Sequence, residues 1–301
     1  MSSTSESARA QYSVIDAFTD KPYEGNPAAV VLLDSKRIED AALLQKLAIE
    51  FNLQETAFLC DLSEGPSPRY RLRWFTPVQE FPLCGHATLA SSHFLFQGHH
   101  PGGKEITFET MSGPLVARRT PEAGIELDFP ADSTAVEEAS PDDLRDHRAP
   151  LPSVNEALAE AVLDVRIGKL AVVVEVQDNF DLANARLDAT SLAHSHRYYI
   201  FTQVSRSEVF DICSRVLDGA EACPEDPVTG SAHCILAPYY LAEGGAARER
   251  LLKVHPELRR SLHCLQGGPR QGQLDVEWQP ERDRVLLRGK AVTVMDGSVR
   301  I

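Results

Sequence analysis

Glu55, the pair Cys84 and His86, and the group Asp226, Thr229 and Ser231 are the side chains of this sequence best suited to carry a proton or hold an anion. All but Glu55 lie in two stretches of one design, EFPLCGHATLASSHFLFQG at 80–98 and EDPVTGSAHCILAPYYLAEG at 225–244. Aligned without a gap, at an offset of 145 residues, Glu80 falls on Glu225, Pro82 on Pro227, Gly85 on Gly230 and Ala87 on Ala232. Each match runs into a helix-length apolar segment with aromatics, Phe94 and Phe96 in the first copy, Tyr239 and Tyr240 in the second. A glycine lets the backbone turn sharply and approach a ligand closely. A helix that begins there presents N–H groups with no partner inside the helix and a partial positive charge, which suits a carboxylate or phosphate. Two such starts facing each other predict a hold on one small anionic substrate, with Cys84, His86, Asp226, Thr229 and Ser231 nearby. Read singly, Gly85 and Gly230 are better taken as turns ahead of buried helices; the repetition carries the site reading.

Glu55 opens NLQETAFLC, an otherwise uncharged run. Burial of a carboxyl at such a boundary raises its pKa and makes a proton carrier; the other reading is a solvated loop residue. Asn26 stands between Gly25 and Pro27, where it either reaches a ligand or stabilises a turn.

These residues need elements to position them. YSVIDAFTDKPYEGNPAAVVLLD reads as two strands around a turn, and Leu43, Leu44, Leu47, Ala48 and Phe51 recur at helical spacing up to Asn52. Tyr70, Leu72, Trp74 and Thr76 alternate with Arg71, Arg73 and Phe75 in a strand ended by Pro77. ITFET, GPLVARR and GIELDFP predict an antiparallel meander that closes a first half near Pro130. The second half repeats this order loosely with an amphipathic NEALAEAVL, strands VRIGKLAVVVEV and YYIFTQV, then GQLDVEWQ and RVLLRGKAVTVMDGSVRI. A hairpin is expected around Asp296-Gly297. Pro238 predicts a kink or early end in the second helix, since a helix-interior proline costs about 3 kcal/mol. The domains expected are 10–130, with 290–301 as a possible completing strand, and 150–290, joined by a linker at 131–149.

The 301 residues are 43% hydrophobic and 25% charged, which describes a soluble globular protein. A formal charge of −14 and the lack of a long basic patch argue against nucleic acid as a partner. MSSTSESARA lacks the core of a secretory signal and no run is long enough to span a bilayer, so a cytoplasmic protein without a membrane partner is expected. Cys60, Cys84, Cys213, Cys223, Cys234 and Cys264 show no CxxC pair and are read as reduced thiols, mostly buried. His99-His100 and His194-Ser195-His196 have no ligand-spaced partners, so no metal is assigned.

DAFTDKPYEGNPAAVV, NLQETAF, RWFTPVQEFPLCGHATLA and EDPVTGSAHC, in this order, resemble the signature segments of the phenazine-biosynthesis PhzF-like proteins, relatives of diaminopimelate epimerase. The resemblance covers most of the chain and is slight at 131–165 and 205–222. It implies an α+β diaminopimelate epimerase-like fold of two pseudo-symmetric halves, each a curved, mostly antiparallel sheet around a central helix, with the active site in the cleft between them. It also implies cofactor-free isomerisation within a biosynthetic process, and a homodimer. Carried over by position, Glu55 is the acid/base carboxylate, His86 and Asp226 are the polar catalytic residues lining the pocket, and Gly85, Gly230 and Ser231 bind the substrate carboxylate. Asn26, Cys84 and Thr229 complete the expected binding set. The epimerase relatives use two cysteines, but Thr229 stands where the second would be, which argues against two-thiol racemisation. Cys84 is then either an acid or base, helped by its place at a helix start, or a small buried structural residue. LQGGPRQGQLDVEW keeps the expected Gly-Arg-Pro order only loosely.

The reading reached is an isomerase of a small amino or hydroxy acid, or a related cyclic carboxylate. Two other classes stay in view. One is a hydrolase built on Cys84 and His86, two residues apart and expected to reach each other poorly. The other is a non-catalytic small-acid sensor or interaction protein that has kept the fold.

Overall fold

The computed structural model describes residues 8–122, 124–133, 140–193, 195, 197–218, 224–257 and 260–301. The chain divides into two units. The first holds the chain up to Tyr23, Pro27–Leu127 and Gly289–Ile301, and the second holds Glu24–Asn26 and Asp128–Arg288.

In the first unit the alternation read in YRLRWF forms strand Arg69–Phe75, with Tyr70, Leu72 and Trp74 buried. It pairs antiparallel with Glu55–Asp61 and with the short Glu80–Phe81, and parallel with Glu105–Thr110. Glu55–Asp61 runs parallel to Asn26–Leu32, and Glu105–Thr110, Gly113–Arg119 and Ile125–Pro130 follow as an antiparallel meander. Helix Ala41–Phe51 starts where the Asp40 side chain accepts from the Leu43 N–H, and stops at Asn52, whose φ of 49° is left-handed. Its Leu44, Leu47 and Ala48 pack with Val31 and Phe58. Helix Gly85–Phe94 is buried on nearly every side, which explains a sequence with no polar face. Its hydroxyls stay inside by bonding the preceding turn: Ser91 donates to Ala87 O and Ser92 to Thr88 O, each at 2.7 Å.

The second unit repeats this order. Tyr198–Val204 lies between Ala171–Val176, parallel, and Ile212–Leu217, antiparallel; the latter pairs with the short Glu225–Asp226 and, in parallel, with Ser261–Gln266. Gly272–Gln279 and Arg284–Gly289 continue antiparallel. Helix Gly230–Leu241 is buried except at Ser231 and packs against Gly272–Gln279 and Ser261–Gln266.

Four expectations change. Helix Gly230–Leu241 runs on through Pro238 instead of stopping there. A proline removes the N–H that would reach residue 234, and the Asp132 N–H takes the Cys234 carbonyl at 3.1 Å instead. AVTVMDGSVR is no hairpin but one strand, Ala291–Arg300, antiparallel to Arg9–Ala17 with Gly297 opposite Tyr12. A Cβ at 297 would come within 2.8 Å of the Tyr12 ring, so close approach accounts for that glycine. NEALAEAVL is helical only over Glu156–Glu160, and its last residues already belong to strand Val162–Ile167. VRIGKLAVVVEV folds back at 168–170 into two antiparallel strands, Val162–Ile167 and Ala171–Val176.

Within 131–149 the structure has a helix, Pro141–Arg148, capped by Ser140, and residues 134–139 lie outside the described residues, as do His194, His196 and Cys223. Cys60, Cys84, Cys213, Cys234 and Cys264 are buried thiols outside any disulfide. No helix among the described residues is long and apolar enough to cross a membrane.

Candidate active site

In the first unit Glu55 is the first residue of its strand, opposite Ala28, and is 6% exposed, so it is no solvated loop residue. Helix Gly85–Phe94 packs against that strand. Cys84 precedes the helix in extended backbone and does not cap it. Its Sγ lies 3.4 Å from His86 Nδ1, so the two do reach each other: the extended N-cap and the second helical residue turn their side chains together. Burial pushes the His86 imidazole down to about 3, which keeps it neutral near pH 7. Its Nε2 is buried with no hydrogen-bond partner among the described residues.

In the second unit three expected site residues form one network. Fully buried Asn26 donates through Nδ2 to Asp226 Oδ1 at 2.6 Å and to Val228 O at 2.9 Å. Two acceptors fix the orientation of its amide and leave Oδ1 buried without a partner among the described residues. The Thr229 hydroxyl donates to Asp226 Oδ2 at 2.5 Å rather than capping its helix. Asp226 keeps some exposed surface but sits deep among protein atoms. Burial pushes its carboxyl up to about 6, against the Thr229 and Asn26 hydrogen bonds and with the Glu225 charge. His233 is held at Thr229 O through Nδ1, at 2.8 Å, and burial lowers it to about 4. Gly230 opens the helix, and Ser231 after it is exposed.

Sequence reasoning missed the residues that brace these groups. Gln266, fully buried, donates to Asp226 O at 2.6 Å and accepts from the Thr229 N–H at 2.8 Å, clamping both ends of the turn. Arg73 grips Glu80 with two bonds of 2.7 Å, and Arg215 grips Glu225 in the same bidentate manner. The available signal was an arginine in the strand before each repeated glutamate. The loosely matched GGPRQG holds the Asn26 segment: Arg270 donates to Gly25 O and Glu24 O at 3.0 Å, and the Gly25 N–H donates to Gln271 O at 2.8 Å. Gly268, with φ of 110°, passes where a Cβ would lie 2.7 Å from Glu225 Oε1. Among the described residues no group of three or more His, Cys, Asp or Glu is arranged to hold a metal ion.

Two α/β units with the same strand order, each with a buried helix entered through a glycine, define the diaminopimelate epimerase-like fold. At TM-score 0.50 and 10% identity, over 97% of this chain and 93% of the other, a hydroxyproline epimerase of Agrobacterium vitis shares that fold. The family model for phenazine biosynthesis-like proteins matches residues 15–297. An uncharacterized isomerase of Halalkalibacterium halodurans is 38% identical, over 94% of this chain and 95% of that protein. The structure of a PhzF-family protein of Enterococcus faecalis matches at TM-score 0.78 and 30% identity, over 98% of this chain and all of that one. The chain belongs to the PhzF-like family, and it is an isomerase.

Proposed function

We propose that this isomerase moves a proton between carbons of a small carboxylic acid without a cofactor, with Glu55 taking and returning the proton. The observation that supports this most is the state of the two repeated helix starts. Asp40, Ser140 and Asn155 cap their helices by side chain, whereas Cys84 turns to His86 and Thr229 to Asp226. Neither start is capped by its own N-cap side chain, which suits first N–H groups that hold a ligand. When Glu55 removes a proton beside the carboxylate, the carbon's electron pair moves into the adjoining carbonyl and negative charge grows on oxygen. Fixed N–H donors stabilise that charge. In this reading His86, neutral, and Asp226, whose carboxyl is pushed up to about 6, are the groups that keep or lend a proton near neutrality. Asn26, Cys84, Gly85, Thr229, Gly230 and Ser231 form the binding set. The epimerase of Agrobacterium vitis holds trans-4-hydroxy-L-proline, which supports a small amino or hydroxy acid, or a related cyclic carboxylate, as the substrate class. A homodimer in the cytoplasm completes the proposal, on the family resemblance.

A thiol mechanism is the second reading, favoured by the 3.4 Å contact of Cys84 and His86. It asks a histidine lowered to about 3 to accept the thiol proton in a buried place, a poor match for a base. The test is deuterium uptake from heavy water into a panel of amino, hydroxy and cyclic carboxylic acids. Glu55→Gln is expected to lose roughly 10²–10⁴-fold in exchange rate while staying folded, as for a general base, and Cys84→Ala to keep measurable exchange. Wild-type rates in Glu55→Gln would reject the base, and loss confined to Cys84→Ala would move the chemistry to the thiol.

A further inference from the structure

Strand register matches the two units more finely than the sequence repeat does. In the first unit Glu55 opens its strand opposite Ala28 and precedes Thr56, which pairs with Phe75, which pairs with Glu80. In the second, Tyr198 opens its strand opposite Ala171 and precedes Tyr199, which pairs with Leu217, which pairs with Glu225. Glu80 and Glu225 are counterparts, so Tyr198 holds in the second unit the place that Glu55 holds in the first.

The chemistry at that place points the same way. The buried hydroxyls of Tyr70, Tyr199, Tyr239 and Tyr240 bond His100, His147, Glu175 and Thr202. The Tyr198 hydroxyl is buried and makes no hydrogen bond of ordinary geometry among the described residues, the Ser231 side chain being only a looser partner. A buried orphan asks for a physical explanation, and a ligand that accepts from it is one. Ser231, its looser partner, is in the first turn of helix Gly230–Leu241, and the Cys234, Asp132 and Asp226 charges also act on the phenol. Burial raises the phenol, so it stays protonated and acts as a donor, never as a base at neutral pH.

We infer that Tyr198 is a further catalytic residue, its hydroxyl donating a hydrogen bond to the substrate carboxylate at the Gly230 helix start. The inference rests on reading that start as the carboxylate site. The phenol keeps its proton throughout; no bond to it forms or breaks.

The test is Tyr198→Phe in the deuterium-exchange assay, beside the wild type and Glu55→Gln. A lost hydrogen bond to a charged group predicts about a 10- to 100-fold fall in kcat/KM. Most of it falls in KM, because the carboxylate is present before and during proton transfer. The thermal midpoint is expected to hold, since the hydroxyl gives up no more than a loose contact with Ser231. Unchanged kcat/KM in Tyr198→Phe, with an active wild type and an inactive Glu55→Gln, overturns the inference and leaves the site reading standing. A fall in activity matched by a fall in thermal midpoint assigns the ring to packing and also overturns it. A wild type silent against the whole panel overturns both.

Discussion

Asp226 ties a single side chain to pH. Two hydrogen bonds to its oxygens, from Asn26 and Thr229, favour the charged form, yet burial outweighs them and pushes the carboxyl up to about 6 from an ordinary 3.8. The folded chain therefore holds this proton after the unfolded chain has released it. Its contribution to stability is fully present below 3.8 and is lost as pH rises through about 6. His86 and His233, lowered to about 3 and about 4, act with the opposite sign: their contributions are present above 6.5 and lost as pH falls through those values. The slopes overlap, so the informative quantity is the difference between wild type and Asp226→Asn in urea unfolding. The wild type is expected to lose ground to the variant as pH rises through that window, then hold a level gap; a gap that opens on the acid side instead would contradict a raised carboxyl. At this scale the sequence was readable where a residue's surroundings were local. Glu55 stands alone in an apolar run, and the two glycines repeat. Gln266 gave no sign, because its partners Asp226 and Thr229 come from a distant turn.

The two arginine–glutamate pairs act on whole elements, each holding the short strand that delivers the chain to a helix start. Arg215 is 3% exposed and also donates to Leu182 O and Ala185 O, whereas Arg73 is 12% exposed and adds Ile38 O. Breaking a buried pair from one side strands the other charge and costs roughly 3–5 kcal/mol. Arg215→Met is expected to approach that range in equilibrium urea unfolding and Arg73→Met to fall below it. Equal, small losses would mean that neither pair braces its strand. The strands and the first helix were legible because alternation and helical spacing are properties of a few consecutive residues. What was misread at this scale depended on a distant partner. Pro238 stays helical because the Asp132 N–H serves the freed carbonyl. Gly297 sits in a straight strand because the Tyr12 ring leaves no room for a side chain. The match of Tyr198 to Glu55 escaped for a related reason: the offset between the copies changes along the chain, so only strand pairing reveals it.

The whole molecule carries one topology twice and spends it on different chemistry. The first unit holds a buried glutamate and a buried imidazole, the second hydroxyls, amides and a carboxyl that binds its proton unusually well. Around both lies a formal charge of −14, which repels an anionic substrate during approach. The helix starts attract it, but their field fades within about one turn, while net charge is felt over a Debye length, about 30 Å at 0.01 M salt and about 8 Å at 0.15 M. On the proposed reading, repulsion dominates outside the site and the fixed N–H donors dominate inside it. Added salt should therefore weaken the outer barrier more than the inner hold. For a carboxylate substrate kcat/KM is expected to rise severalfold as potassium chloride is increased across that range, with kcat nearly constant, and a zwitterionic amino acid of the same shape should respond less. A kcat/KM that falls steeply with salt would mean that a local positive field reaches well beyond the helix starts and outweighs the acidic surface during approach.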